Sequence, residues 1–243
     1  MQQPIDLPVL YEDRQLLAVN KPQGLVVEYE PHLNYSLESL ALRYVRSKDK
    51  YPHKCFIGLP HRLDRPVSGV VLLAKKKSIL KLLVDTFAKR EIEKLYLAIV
   101  EREPAQPEAT LVNWLVKDTA KRKAIIHRSE VRNSMRVELQ YRYIGNTGQG
   151  YLLQVKLITG KFHQIRAQLS YMGCPIVGDA HYGAQRQYKE NAICLHAYML
   201  RLLHPDTRQP LQITAPVPTD ETWNAFAGLI EDISTLHTGN TTP

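Results

Sequence analysis

Residues 59–76, LPHRLDRPVSGVVLLAKK, set one carboxylate, Asp64, between two guanidiniums, Arg62 and Arg65. Pro60 and Pro66 bracket it, and Ser68-Gly69 and an apolar run follow. Proline fixes φ and removes a donor, so the carboxylate falls on a constrained loop ahead of a buried strand. Nearby cations favour the ionised form of a carboxylate. The expectation is a group kept deprotonated at neutral pH, available as nucleophile or base. The plain alternative is a surface Arg–Asp pair, which contributes little. If 61–64 are extended, Arg62 and Asp64 share one face and His61 and Leu63 the other.

A second constellation is LITGKFHQIRAQLSYMG, 157–173. At helical spacing Phe162, Ile165, Leu169 and Met172 form one stripe, and Arg166 borders it beside His163 and Ser170. An arginine at an apolar border needs a carboxylate or phosphate when buried, and otherwise snorkels to water. Tyr96 in KLYLAIV shares its strand face with Lys94 and Ala98, where a tyrosine is ordinarily half-core. No HExxH, GxGxxG, GxxxxGK[ST] or GxSxG occurs. A metal site, a nucleotide cofactor and a serine hydrolase are therefore not indicated.

The elements that must position these residues follow from periodicity. VLYEDRQLLAVNKP reads as two short strands turned at Asp13-Arg14 and ended by Lys21-Pro22. A helix opens at Ser36 as N-cap, with Leu37, Leu40, Ala41, Tyr44 and Val45 on its apolar face. GVVLLAKK reads as a buried strand, SILKLLVDTFAKRE as a helix, and 94–100 and 110–116 as strands. VELQYRYIG and GYLLQVKLIT alternate at period 2 around NTGQG, a hairpin. Helix 161–173, strands CLHAYMLRLLHP and LQITAPVP, and a last helix opened by Thr219 complete the chain. STLHTGNTTP reads as a fraying tail. Mixed order and frequent hairpins give an α+β fold with a mixed, mostly antiparallel sheet.

The chain has 243 residues, 44% of them hydrophobic, and a formal net charge of +8. It is long enough for one large domain or two closely packed halves, and its charge suits a polyanionic partner such as nucleic acid. The basic stretch 117–136, with Lys117, Lys121, Arg122, Lys123, Arg128, Arg132 and Arg136, reads as an exposed ribbon or loop. No apolar run spans a membrane and no secretory signal is read. Cys55, Cys174 and Cys194 are scattered, which fits a reducing cytoplasm. No heptad or long exposed strand argues for a dimer, so a monomer is expected.

HRLDRPVSGVVLLAKK resembles the HRLDxxTSGxxxxAK signature of RluA-type pseudouridine synthases. VNKPQGLVV, EKLYLAIV, LITGKFHQIRAQL, PIVGDAHYG and CLHAYMLRLLHP resemble that family's other motifs, in its order, over roughly residues 9–217. The resemblance implies a bent sheet in two subdomains flanked by helices, with an active cleft between them. It implies isomerisation of uridine to pseudouridine in RNA by base flipping, without metal or cofactor. The catalytic unit would span 9–232, after an extension 1–8 and before a flexible tail 233–243. By resemblance Asp64 is the catalytic aspartate, Arg166 its partner, Tyr96 the wall for the target base and Arg62 the residue that fills the gap in the RNA. His61, Lys161, His163 and the loop residues Lys121, Arg122, Lys123 and Arg128 would bind RNA. Val67, Lys161, Phe162 and Gln168 depart from the family's usual Thr, Arg, Thr and His. With no separate N-terminal RNA-binding domain expected, the catalytic unit itself would recognise a stem-loop of tRNA or rRNA. An RNA-binding or ribosome-assembly protein without catalysis, and a hydrolase using Asp64 with a second carboxylate, are the competing readings.

Overall fold

The apolar runs and period-2 stretches assemble into one sheet in the computed structural model, which describes residues 7–30 and 35–238. In chain order the strands are β1 (Val9–Glu12), β2 (Leu16–Lys21), β3 (Ser68–Ala74), β4 (Glu93–Val100), β5 (Glu108–Asp118), β6 (Lys123–His127), β7 (Met135–Thr147), β8 (Gly150–Leu157), β9 (Leu195–Leu203) and β10 (Pro210–Thr214). The helices are α1 (Leu37–Lys48), α2 (Lys77–Ala88), α3 (Gln164–Tyr171), α4 (Glu221–Asn224) and α5 (Ala227–Thr238). The ten strands lie in the order β1-β2-β3-β9-β4-β8-β7-β5-β6, with β10 also on β9. Pairing is antiparallel except between β3 and β9. The chain is α+β with a largely antiparallel sheet.

Local chemistry explains most boundaries. Asp13 Oδ1 accepts the Gln15 and Leu16 amides, both at 2.7 Å, which closes the β1–β2 turn. Ser36 and Ser39 cap α1 reciprocally, each hydroxyl accepting the other's backbone N–H. The basic stretch folds as the β5–β6 hairpin, with β6 at the sheet edge, and then as the connection into β7. Two helix starts differ from the sequence expectation. α3 begins at Gln164 rather than 161, because His163 takes a left-handed conformation at φ 52. The last helix is capped by Asp220 rather than Thr219, through the Trp223 amide, and breaks into α4 and α5. Helix also continues to Thr238 through much of the stretch expected to fray. Residues 239–243, and 1–6 of the expected extension, lie outside the described residues.

The sheet forks at β9, next to the conspicuous loop. Ser68 and Gly69 of β3 pair with His196 and Ala197, and β10 then pairs with Met199–Leu203. On the opposite edge β4 pairs with β9 on both sides of Tyr198, which the ladder skips. Such a bulge re-aims neighbouring side chains, here beside Tyr96. Gly69 makes the fork possible: its φ is +117, and a Cβ there would lie 2.2 Å from the Ala197 carbonyl oxygen. The buried Ser68 Oγ meets His196 Nδ1 at 2.9 Å, and His196 Nε2 meets the Ala215 carbonyl at 3.1 Å. Gly69→Ala is expected to lose at least ~3 kcal/mol of stability in denaturant unfolding, whereas Gly148→Ala, with open space around it, is expected to change little.

Candidate active site

The loop carrying Asp64 is fastened on both flanks. On one flank Gly58 and Ala74 exchange two backbone hydrogen bonds of 2.9 Å along the free edge of β3. His61 then replaces the next carbonyl, its Nε2 accepting the Leu72 amide at 2.9 Å. The imidazole stacks on Phe87 with centroids 4.6 Å apart. Burial, helped by the charge of Lys94, drives the His61 pKa down to about 3, so the ring stays neutral and its lone pair available. On the other flank Arg65 Nε donates to the Gly24 carbonyl and the Arg65 carbonyl accepts from the Gly24 amide. Lys21, fully buried, donates to the carbonyls of Pro22, Leu25 and Arg65 at 2.9, 2.8 and 3.1 Å. Burial lowers its pKa to about 7, against the pull of Asp64.

The two arginines that flank Asp64 in sequence do not hold it in space. Arg65 serves the turn at Gly24, and exposed Arg62 pairs with Glu28 at 2.9 Å. Arg166 Nη1 reaches Asp64 instead, 3.4 Å from Oδ2. The rest of that guanidinium belongs to Asp179, with Nε and Nη2 donating to its two oxygens at 2.7 and 2.8 Å. Arg166 Nη1 also donates to His163 Nε2 at 3.1 Å, and the guanidinium lies 4.9 Å from the centre of the Tyr182 ring. Burial and the charge of Arg166 push the His163 pKa down to about 3. Neutral His163 thus accepts from Arg166, while its Nδ1 meets Tyr182 Oη at 3.1 Å.

Asp64 therefore differs from the expectation of a carboxylate held ionised by its sequence neighbours. Burial raises its pKa, and Asp179 adds to that, while Arg166 and Lys21 pull it down. Burial also raises the pKa of Tyr96, so its phenol stays protonated.

Asp64, Tyr96 and Arg166 line a single cavity of about 450 Å³, together with His61, Arg62, Lys161 and His163. Val67, Leu157, Ile165 and Leu195 give it apolar walls, and Arg90 and Lys94 add positive charge. Lys121, Arg122, Lys123 and Arg128 lie apart from it. Lys121 and Lys123 border a second groove of about 360 Å³ with Tyr171 and Tyr182. Tyr182, which lines this groove, carries on its ring both Lys123 of the groove, at 5.0 Å, and Arg166 of the first cavity, at 4.9 Å. Among the described residues no group of three or more His, Cys, Asp or Glu side chains could hold a metal. No described helix is long and apolar enough to cross a membrane.

The unusual residues have local explanations. Gln168 is fully buried and donates to Asn113 Oδ1 and the Leu111 carbonyl, tying α3 to β5. Phe162 stacks on His163 at 3.7 Å and carries Lys117 at 4.9 Å from its ring centre. Val67 is buried in the cavity wall, where it adds apolar surface. Sequence reasoning did not assign Asp179, Tyr182 or Lys21, although PIVGDAHYG and VNKP contain them.

A family model described as RNA pseudouridylate synthase matches residues 15–171. Ribosomal large subunit pseudouridine synthase C of Vibrio vulnificus is 35% identical over 222 residues, covering 86% of this chain and 65% of that protein. The protein of the same name from Buchnera aphidicola is 32% identical over 219 residues, covering 86% and 66%. The uncharacterized RNA pseudouridine synthase YlyB of Bacillus subtilis is 28% identical over 234 residues, covering 96% and 75%. The chain thus spans about two thirds of the length of the first two relatives. Among solved structures, human RNA pseudouridylate synthase domain containing 4 superposes with a TM-score of 0.74 at 24% identity, covering 92% of this chain and 93% of its own. Domain containing 1 gives 0.73 at 21%, covering 100% and 98%. These two establish the fold alone. The chain belongs to the RNA pseudouridylate synthase family.

Two outcomes follow from this geometry. Asp179→Ala leaves a buried guanidinium without its bidentate partner, so a stability loss of ~3–5 kcal/mol is expected in denaturant unfolding. His61 and His163 titrate near 3, and buried His196 is pushed down to about 4. Between those values and about 6.5 the unfolded chain binds protons that the folded chain refuses. Stability should therefore be full above that window and fall with pH through it, by up to ~1.4 kcal/mol per pH unit for each ring. Urea unfolding at stepped pH measures this, and a flat profile there would contradict it.

Proposed function

We propose that the protein isomerises uridine to pseudouridine in structured RNA, with Asp64 as the group that works on the ribose. The observation that carries this is the meeting of Asp64, Tyr96 and Arg166 in one cavity, with Arg166 3.4 Å from the Asp64 carboxylate. Family membership supports the reaction class. The names of the relatives make large-subunit ribosomal RNA the first substrate to try, and transfer RNA the second.

The reaction detaches uracil from C1′, turns it and rejoins it through C5. An ionised Asp64 serves as nucleophile at the sugar, or as base for a glycal-type elimination. Arg166 offers a cation beside it in either case. The freed base has to turn without meeting water, which suits walls of Val67, Leu157, Ile165 and Leu195 around Tyr96. The target must first leave its stack. Arg62 is exposed and, among the described residues, pairs with Glu28 in a surface contact of little strength, so moving it into the gap costs little. Unstacking costs a few kcal/mol. Phosphate contacts from the β5–β6 hairpin offset it, so binding should weaken steeply with salt.

The hydrolase reading asks for a second working carboxylate. Asp179 is near, but it is buried and Arg166 occupies both its oxygens. Nothing in the site favours that reading.

The test is to incubate unmodified ribosomal and transfer RNA with the protein and map pseudouridine chemically. New pseudouridine is expected with the wild type. Asp64→Asn should lower turnover at least ~10³-fold while RNA binding persists. Wild-type protein that modifies neither RNA, or an Asp64→Asn variant that turns over normally, would refute the proposal.

A further inference from the structure

Three buried cations surround the active site, and two have their partners. Lys21 holds three carbonyls, and Arg166 holds Asp179. Lys94 is 8% exposed and has no hydrogen-bond acceptor or ion-pair partner among the described residues, the neighbouring Glu93 being paired with Lys156 and Arg201. It lies on the same face of β4 as Tyr96, two residues away, and lines the same cavity. A Cβ on Gly160 would stand 3.6 Å from its Nζ, which places the ammonium beside the turn leading to α3. Its charged neighbour in the cavity lining is another cation, Arg90. Neutral His61 lines the wall nearby.

The Lys94 stem is buried, while its ammonium opens onto the cavity beside a like charge, with its donors turned toward whatever fills that cavity. A uracil carbonyl would satisfy its donors but leave the repulsion with Arg90 in place. An anion satisfies the donors and removes the repulsion. In RNA the anion at hand is the phosphodiester attached to the ribose on which Asp64 is proposed to work.

We infer that Lys94 and Arg90 form a phosphate site for the phosphodiester flanking the target uridine. The inference rests on the function proposed above and adds a substrate contact to it. Holding the phosphate fixes the ribose over Asp64 while the base turns, so the contact should act on the flipped nucleotide and not on distant RNA. The phosphates 5′ and 3′ of the uridine share the same chemistry, and the experiment separates them.

Take an RNA that the wild-type protein modifies, and measure kcat/KM over a salt series for wild type, Lys94→Met and Lys94→Arg. Repeat with a neutral methylphosphonate on the 5′ or the 3′ side of the target. Lys94→Met is expected to lower kcat/KM about 10–100-fold, as for a lost charged hydrogen bond. It should also reduce the slope of log(kcat/KM) against log[salt] by about 0.7–0.9. Lys94→Arg should retain most of the activity. One methylphosphonate should weaken the wild type by a similar factor and have no further effect on Lys94→Met, and its side identifies the phosphate. Thermal unfolding distinguishes a structural role, because removing a partly desolvated charge that faces Arg90 should leave the melting temperature of Lys94→Met unchanged or raised. An unchanged kcat/KM or salt slope, or equal losses in both proteins on both methylphosphonate RNAs, would overturn the phosphate site. A folded Lys94→Met with a lowered melting temperature and no change in salt slope would make Lys94 structural. A wild type that makes no pseudouridine on any RNA would instead refute the function itself.

Discussion

Two carboxylates meet one guanidinium, and the inequality between them shapes the site. Asp179 takes Nε and Nη2 of Arg166 in a short bidentate pair, while Asp64 touches only Nη1 at 3.4 Å. A carboxylate held bidentate in a buried pair is fixed and satisfied. Asp179 accepts that role, so Asp64 keeps a cation close without being locked to it. Its carboxyl is raised by burial and by Asp179, and lowered by Arg166 and Lys21. These opposed influences set the balance between its neutral and charged forms, with burial the largest of them. His163 belongs to the same arrangement: kept neutral, it accepts from Arg166 Nη1 and links it to Tyr182.

The sheet supplies the other half of the geometry. β9 changes partner from β3 to β10, and the loop 58–67 occupies the edge of β3 that this change leaves open. His61 continues the ladder with a side chain where the backbone turns away. Lys21 and Gly24 clasp the far side of the loop. Asp64 thus stands on a segment braced by side chains and backbone alike, opposite Tyr96 on a continuous strand and Arg166 on a helix.

Much of this was legible in the sequence, and the illegible parts share a cause. The β7–β8 hairpin followed from the alternation of Val137, Leu139 and Tyr141, and α1 from the Ser36 cap, because both signals are local. Asp64, Tyr96 and Arg166 came from their motifs, and the structure brings them into one cavity. The local string puts Arg62 and Arg65 beside Asp64, yet both bond elsewhere, and Arg166, the partner expected by resemblance, is the one that meets it. The β3–β9 pairing spans two residues on each strand, too short to leave a pattern. The start of α3 depends on a left-handed histidine, a conformation that residue type does not announce. Asp179 carried no separate mark, since a carboxylate in a loop becomes informative only when its arginine is seen beside it.

The chemistry assigned to Asp64 has a direct reporter. Joining C1′ to C5 of uracil expels the hydrogen from C5, whereas hydrolysis leaves that hydrogen on a free base. The decisive measurement is release of tritium from RNA labelled at C5 of uridine, followed together with free uracil. The expected result is one tritium released per pseudouridine formed, no free uracil, and neither process with Asp64→Asn. Free uracil as the product, or no tritium release from RNA that the protein binds, would contradict the account.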